Sequence, residues 1–178
     1  MNKKEVIVQD SCILFDLIKL DLINDFFQLN LDVFTTPHVI AEITEESQLT
    51  EITSYITDGI LQIDVTGSYE VIVSIFNENP GLSFADSSVL ELAFRKTGII
   101  LSSDRSLRNK SEQRNITVRG IVWLIESLSK EEILSKEKAI SKLESYLKLN
   151  CRAPKKEINE LINKLRNEID QQEEEKRI

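Results

Sequence analysis

Along residues 5–128, short β-branched runs alternate with longer stretches in which apolar residues recur every three to four positions. Glu5 to Gln9 is too brief for a helix and predicts a buried strand, with Asp10-Ser11 placed to cap the next element. Cys12 to Leu29 carries Ile13, Leu14, Leu17, Ile18, Leu22 and Phe26 at helical spacing, with a break expected near Leu20-Asp21. Val33-Phe34-Thr35 is the second strand candidate. Pro37 opens helical character over 39–47 that continues from Leu49 to Asp58. Ile60 to Ile63 predicts a third strand, and Ser68 to Asn79 a helix closed by Pro80-Gly81. Ser83 to Asp86 reads as a capping-box start for a helix that buries Val89, Leu90, Leu92 and Ala93 and stops at Gly98. Ile99 to Leu101 is a fourth strand, Arg105 to Arg114 a basic helix, Ile116 to Val118 a fifth strand, and Gly120 begins a further helix.

Strands that alternate with helices predict a mostly parallel five-stranded sheet, because parallel neighbours need crossover helices. Residues 1–128 are expected to form this α/β domain. Residues 129–178 show helical patterning only and are expected to form a C-terminal helical extension, packed on the domain or on a partner, with a polar, frayed end from Gln171.

Composition narrows the chemistry. The chain has 178 residues, enough for one domain with a small appendage and a core that needs no staples. Its net charge is −8, which argues against nucleic-acid binding by bulk charge alone. The charge is uneven: residues 1–94 hold 3 basic and 16 acidic residues, 95–119 hold 7 and 2, and the two remaining segments, 120–150 and 151–178, each balance. The basic stretch, with Arg105, Arg108 and Arg114, is a candidate phosphate-contacting surface or an ordinary solvated helix face. Two distant cysteines and no signal-peptide pattern lead to an expected cytoplasmic protein with reduced thiols, and no apolar run is long enough to span a membrane. Cys12 falls on the apolar face of the first helix and is expected in the core; Trp123 likewise. With one histidine, His38, histidine-based triads and zinc sites lack material, so carboxylates must carry any chemistry.

In open α/β sheets ligands sit beyond the carboxyl ends of the strands, where the winding reverses. Asp10 follows strand one and Asp104 follows strand four, which are central neighbours if the order is 3-2-1-4-5. Glu42 lies in the first turns of the helix after strand two, and Asp86 in the first turn of the helix that leads to strand four. Four carboxylates converging there would make an oxygen-only site suited to magnesium or manganese. Each also has an ordinary role: Asp10 as a turn residue or cap, Asp86 as the acid of a capping box, Asp104 as a helix cap, Glu42 as an exposed helical glutamate.

The segments Val6-Ile-Val-Gln-Asp10-Ser11, Pro37-His-Val-Ile-Ala-Glu42, Leu82-Ser-Phe-Ala-Asp86 through Ala93 and Ile100-Leu-Ser102-Ser-Asp104-Arg105 resemble, in order, the four acidic motifs of PIN-domain ribonucleases. The resemblance spans about residues 5–128. With the helices after residue 129, the chain further resembles a prokaryotic subgroup, relatives of VapC-type toxins. The resemblance implies a PIN-like three-layer sandwich and metal-dependent endoribonuclease activity, with Asp10, Glu42, Asp86 and Asp104 holding magnesium or manganese. It implies that Ser11 and Ser102 support the acids, and that Arg105, Arg108 and Arg114 guide the RNA. Expected partners are the RNA substrate, an antitoxin protein and a second copy of the chain. Some family members have a further acid three residues after the fourth motif; that position here is Leu107.

Two readings from other classes compete. A catalytically silent PIN-like module would bind RNA or a protein partner, and intact acids at all four positions speak against it. A phosphoacceptor receiver domain would want an acid pair after strand one and an acceptor after strand three; Asp64 sits at the latter place, but Asp10 has no acidic neighbour.

Overall fold

The structure, a computed structural model, describes residues 5–175. The chain runs β1 (Glu5–Gln9), α1 (Ser11–Lys19), α2 (Ile23–Phe26), β2 (Leu31–Thr35), α3 (Pro37–Ala41), α4 (Glu46–Thr57), β3 (Leu61–Ile63), α5 (Tyr69–Glu78), α6 (Phe84–Lys96), β4 (Ile99–Leu101), α7 (Arg105–Glu112), β5 (Val118–Arg119), α8 (Ile121–Lys130), α9 (Lys136–Leu149) and α10 (Lys155–Glu175). The five strands form one sheet in the order β3-β2-β1-β4-β5, and every pairing is parallel. Ile7, Val8 and Gln9 are buried in succession, as are Ile100 and Leu101. Side chains alternate faces along a strand, so such runs require cover on both sides, and helices lie on both faces of the sheet. This is the parallel five-stranded α/β architecture expected from the pattern, and the PIN-like three-layer sandwich that the resemblance implies.

By packing, the chain divides into two compact units. One takes in the chain up to Lys19 together with Asn30–Ile121 and contains the whole sheet. At its centre, α6 buries Ala85, Ser87, Ser88 and Val89 through Ala93, so its first turn is held rigidly at the carboxyl end of the strands. Gly98 lets β4 approach β1: a Cβ there would stand 3.1 Å from Val6 Cγ1 and 3.2 Å from the Val6 carbonyl oxygen. The second unit joins Leu20–Leu29 to the chain from Val122 onward. Within it α9 and α10 pack through Leu143, Tyr146, Ile158, Leu161, Ile162 and Leu165, and Lys142 Nζ donates to the Leu20 carbonyl at 2.6 Å.

Two expectations need correction, and a third holds. The helical stretch after Pro37 is two helices, α3 ending at its C-cap Glu42 and α4 starting after the extended Glu45. Ile43 and Thr44 are β-branched, and Glu45 is extended as the N-cap of α4, so Glu42 caps the C-terminus of a five-residue helix instead of lying early in a long one. The polar end does not fray at Gln171: α10 continues to Glu175, as glutamine and glutamate favour helix. The break expected at Leu20-Asp21 is present, with Asp21 at φ 51. Met1–Lys4 and Lys176–Ile178 lie outside the described residues, and with them the N-terminal leader reading and the last of the polar tail. No helix of the described residues is long and apolar enough to cross a membrane.

Candidate active site

Asp10 leaves the central strand where β1 and β4 end together, its backbone N–H donating to the Leu101 carbonyl at 3.2 Å. Only 3% of it is exposed, and its side chain is fixed by three neighbours. Oδ2 accepts from Ser102 Oγ at 2.8 Å and from the Cys12 thiol at 2.8 Å. Ser11 Oγ stands 3.4 Å from Oδ1 but donates at 2.6 Å to Glu42 Oε2. A hydroxyl has one proton, and the shorter bond takes it, which leaves Asp10 Oδ1 with its lone pairs.

Asp104 follows β4 and caps α7, its Oδ1 accepting from the Leu107 N–H at 2.8 Å while its own N–H donates to Ser102 Oγ at 3.0 Å. Asp86 forms the capping box of α6 with Ser83: its Oδ2 accepts the Ser83 N–H at 2.7 Å, and Ser83 Oγ accepts the Asp86 N–H at 2.9 Å. Ser83 Oγ also lies 3.4 Å from Glu42 Oε1. Ser102 thus bridges Asp104 and Asp10, Ser11, next to Asp10 in the chain, bonds Glu42, and Ser83 bridges Glu42 and Asp86. The acids' capping roles are real, and they coexist with the convergence.

The cluster carries unbalanced negative charge. Burial pushes the Asp86 carboxyl up to about 6, and the charges of Asp10 and Asp104 add to the rise against the lowering effect of the Ser83 bonds. Among the described residues none of the four acids pairs with a lysine or arginine. Nor, among those residues, are three such side chains gathered closely enough to hold a metal as they stand. The physical reason is visible: Asp86 and Asp104 each turn one oxygen to a helix cap, and like charges do not close up without a cation between them. The donor set still suits a hard divalent ion, being carboxylate and hydroxyl oxygen with no imidazole.

The arginines separate by what holds them. Arg105, first residue of α7, is exposed beside Asp104. Arg108 Nη1 donates to the Val118 carbonyl at 3.3 Å, which ties α7 to the edge strand β5, and Arg114 Nη1 donates to Asn79 Oδ1 at 3.2 Å, which ties the turn after α7 to the end of α5. Leu107 is fully buried and contributes only its N–H to the Asp104 cap.

Cys12, a core residue by its apolar spacing, is instead part of the site. Besides donating to Asp10, its sulfur accepts the Ser103 N–H at 3.2 Å, linking the start of α1 to the turn after β4. Burial, then the Asp10 charge, holds it as a thiol well above its ordinary range. Ser103 Oγ also donates to Asp16 Oδ2 at 3.0 Å, which brings a fifth carboxylate to the rim. The signal for Cys12 in the sequence is its position: residue 12 lies in the first turn of a helix, two residues after an acid at a strand end. Asp64, the receiver-type acceptor candidate, follows the edge strand β3. Burial alone would raise its carboxyl, but hydrogen bonds from Arg95, Thr66 and Lys96 hold it well below the usual range. It is a structural counter-ion.

Residues 6–167 match a family model described as a PIN domain. The fold is similar to the crystal structure of PAE2754 from Pyrobaculum aerophilum, with a TM-score of 0.50 and 15% identity over 71% of this chain and 98% of that one. At that identity the likeness is one of fold. No curated protein matches the chain in sequence.

Proposed function

Since the chain belongs to the PIN-domain family, whose fold is of the nuclease type, we propose that it is a metal-dependent endoribonuclease hydrolysing RNA phosphodiester bonds. The observation that carries this is the set of four acids linked through Ser102, Ser11 and Ser83 near the carboxyl ends of β1 and β4, none of which pairs with a lysine or arginine among the described residues. Asp10, Glu42, Asp86 and Asp104 would hold magnesium or manganese. When bound, the ion would lower the pKa of an attacking water and offset charge on the phosphodiester. The chain's own residues prepare this. Ser102 and Cys12 hold Asp10 in one rotamer, Ser11 and Ser83 aim Glu42, and the capping box fixes Asp86 on the rigid start of α6. Arg105, exposed at the rim, meets the RNA backbone; Arg108 and Arg114 contribute with the charge left over from their structural bonds.

The nuclease chemistry is assigned to residues 1–128, with 129–178 as a helical extension. The finer form of the proposal is a cytoplasmic toxin held by an antitoxin protein, or a homodimer. An RNA cleavage assay in manganese, comparing the wild type with Asp10→Asn and Asp86→Asn, tests the site: cleavage lost in both variants supports it, and equal cleavage by all three sinks it. The second reading, a catalytically silent module that binds RNA or protein, draws on the cap engagement of Asp86 and Asp104. RNA binding by a wild type that does not cleave in manganese would favour it.

A further inference from the structure

Three residues, Ser102, Ser103 and Asp104, connect β4 to α7 and belong to neither element. The Ser102 N–H still continues the sheet, donating to the Arg119 carbonyl at 2.9 Å. The next two N–H groups turn to side chains: that of Ser103 donates to the Cys12 sulfur at 3.2 Å, and that of Asp104 to Ser102 Oγ at 3.0 Å. The fourth acid therefore stands where side-chain bonds hold its backbone, one step beyond the reach of the ladder.

The side chains that hold this connection come from the segment that follows the first acid. Cys12 and Asp16 lie four residues apart on α1 and so share one face of it. Both reach Ser103: the Cys12 sulfur accepts its N–H, and Asp16 Oδ2 accepts its hydroxyl proton at 3.0 Å. Asp16 is the one acid of α1, a helix in which Ile13, Leu14 and Leu17 are fully buried. A half-buried carboxylate in such a helix needs a polar partner to offset its desolvation, and Ser103 supplies one. Ser102 and Cys12 also bond Asp10 directly. The bond from Ser103 to Asp16 touches none of the four acids, yet it fastens the connection that carries Asp104 to the helix that starts beside Asp10.

Magnesium demands near-ideal octahedral oxygen geometry, so a site built from carboxylates on different strands depends on how firmly the strand ends are held together. We propose that Asp16 is a positioning residue for the metal: through its hydrogen bond with Ser103 it fixes Asp104 against Asp10, and it acts by that bond, not as a ligand or by its charge. The proposal rests on the metal-dependent nuclease reading and adds to it a residue behind the four acids that sets how tightly they hold the ion.

The test is manganese binding to the full chain, read by isothermal titration calorimetry. Removing a group behind a metal ligand costs about 10–100-fold in affinity, and Asp16, one bond further back, belongs at the lower end. Asp16→Ala and Ser103→Ala should each weaken manganese binding about tenfold, and the double variant should lose no more than either, since all three remove the same bond. Asp16→Asn keeps an oxygen that accepts from Ser103 and should restore most of the affinity. Both positions are partly exposed, so the variants are expected to fold, which circular dichroism checks. Unchanged manganese affinity in both alanine variants overturns the proposal, even where urea unfolding shows lost stability. So does an Asp16→Asn protein that binds as weakly as Asp16→Ala, which assigns the effect to charge. Manganese binding that depends on Asp16 and Ser103 in a protein that leaves RNA intact sinks the nuclease reading and leaves the positioning role standing. Cleavage in manganese, with alanine variants that bind the ion like the wild type, does the reverse. A wild type that binds no manganese overturns both.

Discussion

Replacing Asp86 by asparagine should stabilise the metal-free protein at neutral pH while removing a ligand from the proposed site. The carboxyl is raised from an ordinary 3.8 to about 6 by burial and by Asp10 and Asp104. The folded state therefore prefers the protonated acid. Below the unfolded value both states are protonated and nothing is lost; as pH rises from 3.8 to about 6 the unfolded state ionises while the folded state resists, so stability falls across that window and the loss is complete above it. At about 1.36 kcal/mol per unit, the displacement corresponds to roughly 3 kcal/mol. Asp86 is partly open to water, and screening reduces this to about 1–2 kcal/mol. Asparagine keeps an oxygen to accept the Ser83 N–H, so the capping box survives in part. Urea unfolding in EDTA should show the two proteins nearly equal at about pH 4, with the variant ahead by about 1–2 kcal/mol at about pH 7.5. Added magnesium should raise the wild type and narrow the gap. A variant no more stable than the wild type at neutral pH, or an advantage independent of pH, would refute the view that burial, with the neighbouring acids, resists ionisation of Asp86.

Three other substitutions probe the packing around the site. Ser102→Ala removes the donor to Asp10 and the acceptor of the Asp104 N–H from a fully buried position, and should cost about 1–3 kcal/mol in denaturant unfolding and lower cleavage as well. Gly98→Ala should destabilise by about 1–3 kcal/mol, since its Cβ would press on the Val6 backbone, and hydrogen exchange of β1 and β4 amides should quicken. Gln9 is fully buried, and neither its Nε2 nor its Oε1 has a partner among the described residues; Gln9→Leu should raise stability by about 1 kcal/mol, measured as a higher urea midpoint at unchanged slope.

Much of the fold is legible in the sequence because its signals are local. β-branched runs of three to five residues, capping serines and glycine stops locate strands and helices without reference to distant parts of the chain. The boundary between α3 and α4 is not legible: apolar periodicity continues across 42–45, and the break depends on the extended backbone of Glu45. The role of Cys12 is hidden for a similar reason. A small apolar residue on a helix face looks like core until the strand order brings Ser103 to its sulfur.

The sequence by itself determined the parallel sheet and marked the four acids by their places beside strands and helix ends, because each depends on spacing along the chain; the strand order 3-2-1-4-5 entered only as a condition and is decided by the pairing of the strands. Only the tertiary structure decided how those acids relate. Asp10 and Asp104 lie far apart in sequence, and their common partner Ser102 becomes shared only when β1 and β4 pair. The serine links, the raised Asp86 carboxyl and the bond from Ser103 to Asp16 likewise arise between segments distant in sequence. Electrostatic and hydrogen-bonding interactions depend on separation in space, and only folding sets that separation.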